Sequence, residues 1–201
     1  EHGLGDALGD WIFQRVFDDL HSLPFWQLER ISVAVNLSQS MFTLNLPTKL
    51  NALLRHSPIA HEQLILELTE TIALHDFTVS QQILSALREN KIRIALDDFG
   101  MGYAGLRQLQ HMKTLPVDVL KIDKAFVDGL PDDSSLVQAI IHMARSLNLH
   151  VIAEGIETEA QRDWLAEAGV ESGQGFLFAR AVPSDVFEQR YISSAGNNAK
   201  V

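Results

Sequence analysis

The stretch KIRIALDDFGMGY, Lys91 to Tyr103, runs from an apolar, strand-like segment into two adjacent acids and a turn punctuated by Gly100 and Gly102. Adjacent carboxylates repel each other and lose hydration on burial, so Asp97 and Asp98 need a compensating cation if a compact domain encloses them. At the mouth of a strand the natural compensator is a hard divalent metal such as Mg2+ or Mn2+. The competing reading is a helix N-cap followed by an ordinary turn acid. The rest of the chain weighs between the two.

Outward from this stretch, short apolar runs alternate with longer segments of helical period. Expected strands are Ser32–Val35, Leu64–Leu68, Ile92–Leu96, Val117–Ile122, His150–Ala153 and Gly175–Phe178. Expected helices cover Asp10–Leu20, Pro47–Arg55, Phe77–Arg88, Leu106–Met112, Ser135–Leu147 and Glu159–Ala168. A closing helix capped by Ser184 runs to about Tyr191, and residues 192–201 read as a polar, frayed tail. This alternation implies a parallel sheet flanked by helices. Asn36, Glu67, Asp97, Lys121, Glu154 and Gln174 each sit within or at the edge of one of these strands, and five of them mark its C-terminal end. A barrel gathers those ends on one face, whereas an open sheet spreads them along a wide edge. No G-x-G-x-x-G or Walker motif follows the first strand. The expected fold is therefore α/β, a TIM-type (β/α) barrel with about six strands in this chain.

Composition narrows the chemistry. The 201 residues suffice for one domain with a sizeable core. There is no cysteine, hence neither a disulfide framework nor a thiolate metal site. The formal net charge of −10 disfavours a DNA or RNA polymer as partner. A small phosphorylated ligand remains compatible if cations reverse the charge inside the pocket. The eight histidines show no metal-ligand spacing. The donors that remain are oxygens of Asp, Glu and Asn, a set that selects Mg2+ or Mn2+ over zinc. Two such ions about 4 Å apart clamp an in-line attack of water on a phosphodiester.

Each candidate residue also has a plainer reading. Asn36, after VAV, can bind a metal without adding charge or can cap the next helix. Glu67 interrupts an apolar strand, which is costly unless it is paired or metal-bound, while Glu70 can hold a neighbouring loop. Lys121 can polarise water or neutralise a phosphate; its plainer role is a salt bridge to a nearby acid. Asp123 reads as a turn or cap acid. Glu154 follows another buried strand, Glu157 reads as a cap of the next helix, and Gln174 can position water or substrate.

Taken in order, VAVNLS, LELTET, ALDDFGMGYAGL, LPVDVLKID, VIAEGIETEAQ and GQGFLFARAVP resemble the EAL-domain family of cyclic di-GMP phosphodiesterases. The resemblance covers roughly Gly3 to Tyr191, with an EAL-type domain over 1–191. It implies a (β/α)8 barrel with one antiparallel strand, and hydrolysis of cyclic di-GMP to linear pGpG with Mg2+ or Mn2+, Ca2+ being inhibitory. By the family pattern Asn36, Glu67, Asp97, Asp98 and Glu154 are metal ligands. Lys121, Glu154 and Gln174 serve catalysis, Asn36, Asp98 and Gln174 meet the substrate, and Glu70 anchors the loop that starts at Asp98. The resemblance further implies a homodimer with contacts near Tyr103, flanking sensory or GGDEF-type domains, and a cytoplasmic location in a soluble or membrane-anchored parent.

Three departures stand out. The E-x-L motif that names the family has no counterpart here, so the expectation is an N-terminally incomplete domain with two unpaired edges, at the Val33 and Phe176 strands, and little or no turnover by the isolated chain. Met101 stands where the family commonly has a hydroxyl residue, and RQLQHMKTLP is slightly longer than usual. The alternative functions are an inactive EAL-like domain that acts as a cyclic di-GMP receptor or protein-interaction module, and an unrelated metal-dependent barrel with Lys121 as an enolising base.

Overall fold

The computed structural model describes residues 2–23, 31–100 and 113–192. Six parallel strands lie side by side in chain order: β1 Val33–Asn36, β2 Leu64–Thr69, β3 Arg93–Asp97, β4 Val119–Ile122, β5 His150–Ala153 and β6 Ser172–Gly173. The helices are α1 His2–Ser22, α2 Leu46–Leu54, α3 Glu70–His75, α4 Phe77–Glu89, α5 Lys124–Val127, α6 Ser135–Ser146, α7 Glu159–Glu167 and α8 Ser184–Phe187. Parallel strands that neighbour one another in sequence order, with the described helices packed outside, form a curled half-barrel of the TIM type.

The two-residue period of the strands divides the core into two layers. Leu64, Leu66, Leu68, Ile94, Leu96, Leu120 and Ile122 point outward into the large cluster under the helices. Ile65, Ala95 and Val119 point the other way and form a small interior cluster with Ile152. Helix faces complete the outer layer: Phe13, Phe17 and Leu20 of α1, Ile83, Leu84 and Leu87 of α4, and Val137, Ile140, Ile141 and Ala144 of α6. Helix α1 begins well before the expected Asp10. Its glycines let it lie on the loop after β1, where a Cβ at Gly9 would stand 2.5 Å from the Met41 Cγ. Side-chain caps start four helices, the first being α3, where Thr69 accepts from the Ile72 N–H. Asp76 accepts from the Val79 N–H, Asp123 from the Ala125 N–H, and Thr158 with Gln161 forms a capping box for α7. The cap of α7 is thus Thr158 rather than Glu157, whose carboxylate pairs with Lys124.

Three expectations at the C-terminal side meet the structure differently. Gly175–Phe178 is a turn; the sixth strand is Ser172–Gly173. The apolar GFLF run reads as a strand, but the Phe178 and Ala179 N–H groups both bond back to the Gly175 carbonyl and close the chain on itself. Consequently the C-terminal sheet edge is β6 and not a Phe176 strand, while β1 is the other edge as expected. Ser184 is the first residue of α8, after an N-cap at Pro183, and the helix continues as a π turn, Glu188–Ile192. The expected helix over Leu106–Met112, and Met101 and Tyr103, lie outside the described residues. Among those residues no helix is long and apolar enough to cross a membrane.

Candidate active site

The site is built one pleat above the interior apolar layer. Two residues after Ile65 comes Glu67; two after Ala95, Asp97; two after Val119, Lys121; two after Ile152, Glu154. Because the strand period is two, each of these side chains must share the inner face with the residue beneath it. Parallel register then lines up the strand tips: Asn36 is opposite Glu67, Thr69 opposite Asp97, and Lys121 opposite Ile152. Two backbone bonds extend the alignment past the strand ends, from the Glu154 N–H to the Ile122 carbonyl and from the Gln174 N–H to the Ala153 carbonyl.

Lys121 is at the centre of this ring. Its Nζ lies 2.8 Å from Glu67 Oε2, 3.2 Å from Asp97 Oδ2 and 2.5 Å from Glu154 Oε1, and only 3% of its side chain is exposed. Burial works against the ammonium form. Hydrogen bonds to Glu154 and Glu67, and the charges of those two acids, outweigh it and hold Lys121 well above the ordinary lysine range. Three acids brought together from three strands are thus bound by one cation. Glu154 is pushed above the ordinary carboxylate range, chiefly by burial; the lysine opposes this, while Asp97 and Glu67 add to it. Gln174 donates through Nε2 to the same Glu154 Oε1 at 2.7 Å, which fixes that carboxylate from the β6 side.

Asn36 and Asp98 stay outside these three ion pairs, both exposed. Asp98 has a left-handed backbone, φ 54°, and its N–H donates to Asp97 Oδ1 at 3.0 Å. Its carboxyl is raised by burial first, then by the charges of Asp97 and Asp123. Glu70 is 5% exposed at the start of α3, and its Oε2 has no hydrogen-bond partner among the described residues. The loop it was expected to anchor runs into residues 101–112, outside those described. The Arg180 guanidinium carbon stands 4.1 Å from the Phe176 ring centroid, a contact outside the expected site residues. Two residues four apart in an apolar turn carry no signal by spacing alone.

Whether this donor set suits a divalent cation can be judged from the residues themselves. Among the described residues no three acidic or histidine side chains stand ready to hold an ion by themselves. The centre of the acids is taken by an ammonium. The chemistry nonetheless fits a hard cation: every candidate ligand offers oxygen, and the field at the centre already holds a positive charge.

The sequence profile of the EAL domain family matches residues 1–181. This chain belongs to the EAL domain family. As an EAL domain it is 39% identical over 188 residues to the probable cyclic di-GMP phosphodiesterase PdeB of Escherichia coli (strain K12), covering 92% of this chain and 35% of that protein. Among solved structures it resembles the PaMucR phosphodiesterase in complex with c-di-GMP, with a TM-score of 0.81 and 35% identity over 92% of this chain and 75% of that one. It also resembles Klebsiella pneumoniae BlrP1 in a manganese and cyclic di-GMP complex, with a TM-score of 0.68 and 30% identity over 77% of this chain and 41% of that one. The EAL domain spans 27%, 24% and 35% of the length of three curated relatives it matches.

Proposed function

We propose that this EAL domain hydrolyses cyclic di-GMP to linear pGpG with Mg2+ or Mn2+. The observation that supports the reading best is the convergence of Glu67, Asp97 and Glu154 on one point at the strand tips, held there by Lys121. Glu67, Asp97, Asp98, Glu154 and the neutral oxygen of Asn36 are the residues that would hold the cations. The chemistry supplied with divalent cations bound is neutralisation of phosphodiester oxygens and acidification of a water. The chain's own residues prepare the rest. Lys121 sets its ammonium beside the acids, where it can orient a water or meet a phosphate oxygen. Gln174 holds Glu154 in one orientation. One water adds across one phosphodiester and opens the ring.

A dimer, a loop anchored by Glu70, inhibition by Ca2+ and flanking signalling domains belong to the same proposal. The test is a calorimetric titration of cyclic di-GMP into the chain with Ca2+ and again with EDTA, followed by chromatography of the nucleotide after incubation with Mn2+. Saturable binding that EDTA abolishes is expected. Binding that ignores EDTA, or none under either condition, sinks the reading. Little or no pGpG is expected from the isolated chain, in which the E-x-L motif has no counterpart; binding with no pGpG formed by a chain that carries the motif assigns the domain to the receptor alternative.

A further inference from the structure

We infer that Lys121 is the resident cation of the metal-free site, and that a divalent cation must compete with its ammonium for the same carboxylate oxygens. The inference rests on the proposed metal site and adds a role for a residue that the proposal gives only to water and phosphate.

The geometry carries it. A lysine that served only a bound phosphate would keep its ammonium free of protein acids until substrate arrived. Lys121 instead spends its hydrogen-bonding capacity on Glu67, Asp97 and Glu154, one from each of three strands, at 2.8, 3.2 and 2.5 Å. The same three acids are the core of the candidate ligand set. Without a cation they would be three buried or half-buried carboxylates on one point, an arrangement that repels itself apart. The ammonium therefore holds β2, β3 and β5 in ligating register before any metal binds. This arrangement also has a cost to the metal. A divalent cation entering the cluster meets a positive charge a few ångströms away, and the ammonium must give up at least one oxygen. Lys121 is thus a positioning residue that trades metal affinity for a preassembled site.

Removing the charge while keeping the length tests this. Metal-free wild-type chain, Lys121→Met and Lys121→Arg are titrated with Mn2+ by calorimetry, with circular dichroism as the check on fold. Lys121→Met is expected to bind Mn2+ about tenfold or more tighter than wild type, because a like charge has left the site. Lys121→Arg, which keeps the charge, stays within about threefold of wild type. A merely structural lysine predicts the opposite sign, since a loosened site binds metal more weakly. Equal or weaker binding by folded Lys121→Met overturns the inference and leaves the metal site standing. No Mn2+ binding by any of the three overturns the metal site and the inference together. A second measurement needs no folded Met variant. In chain labelled with 15N-lysine, the Lys121 Nζ resonance, assigned by its loss in Lys121→Arg, should shift and exchange faster on saturation with Ca2+. An unchanged resonance at calorimetric saturation overturns the inference.

Discussion

Replacing members of the Lys121 cluster in the metal-free protein should give an asymmetric pattern of stability. Three carboxylates face one ammonium, so two negative charges remain uncompensated. At contacts near 3 Å and an effective dielectric of about 20, each attraction is worth roughly 5–7 kcal/mol before desolvation. Acids bonded to one nitrogen lie close together, and each pair of them repels by roughly 4 kcal/mol on the same scale. Glu67→Gln removes one attraction and two repulsions, keeps an oxygen acceptor for the lysine, and needs less desolvation. Its net effect should fall within about 1 kcal/mol of wild type. Lys121→Met removes all three attractions and keeps every repulsion. Part of that loss is recovered as one acid takes up a proton, and the remainder should be about 3–5 kcal/mol, the usual cost of stripping a buried charge of its partner. Urea unfolding in EDTA, followed by circular dichroism, reads both values, and complete loss of a cooperative transition by Lys121→Met counts as the larger effect. If Glu67→Gln destabilises as much as Lys121→Met, the cluster is an ordinary ion pair and the reasoning fails.

Gly175→Ala should cost about 1–3 kcal/mol, since the new methyl would stand 2.1 Å from the Ile156 carbonyl oxygen on backbone that carries two hydrogen bonds. The same variant should weaken cyclic di-GMP binding more than Ser184→Ala does, because displacing that backbone displaces Gln174 from Glu154; calorimetry with Ca2+ compares the two. Both ring nitrogens of His21 face carbonyls, Phe17 O at 2.6 Å and His56 O at 2.8 Å, so the charged ring satisfies both contacts. These contacts raise its pKa above the ordinary histidine value of about 6.5. The stabilisation is complete below that ordinary value and is lost as pH rises through the folded pKa, so urea midpoints should fall over that interval in wild type and stay flatter in His21→Gln. Thr158→Ala breaks the capping box of α7 and should cost about 1 kcal/mol by the same unfolding assay.

Periodicity made the sheet legible from the sequence. Five of the six strands, β1 to β5, follow apolar runs whose alternation also carries the site, because Ile65, Ala95, Val119 and Ile152 set the inner face on which Glu67, Asp97, Lys121 and Glu154 then fall. The sixth strand escaped for a tertiary reason. Ser172–Gly173 is too short to show a period, while the apolar GFLF run beside it is turned by contacts with Ile156 that no local pattern reports. Helix α3 escaped because its six residues continue straight from β2 after the Thr69 cap. The placement of the site residues was legible, but their partners were not. Glu67, Asp97, Lys121 and Glu154 are far apart along the chain, and only parallel register across four strands reveals that the lysine sits among the acids.

Anomalous diffraction at the manganese edge, from crystals of the chain grown with Mn2+ and cyclic di-GMP, tests the metal site at the strand tips most directly. The expected result is a manganese peak in the mouth ringed by Asn36, Glu67, Asp97 and Glu154, with the Lys121 ammonium withdrawn from at least one of the three acids. No manganese at that point, with Lys121 still bridging all three carboxylates, would contradict the account.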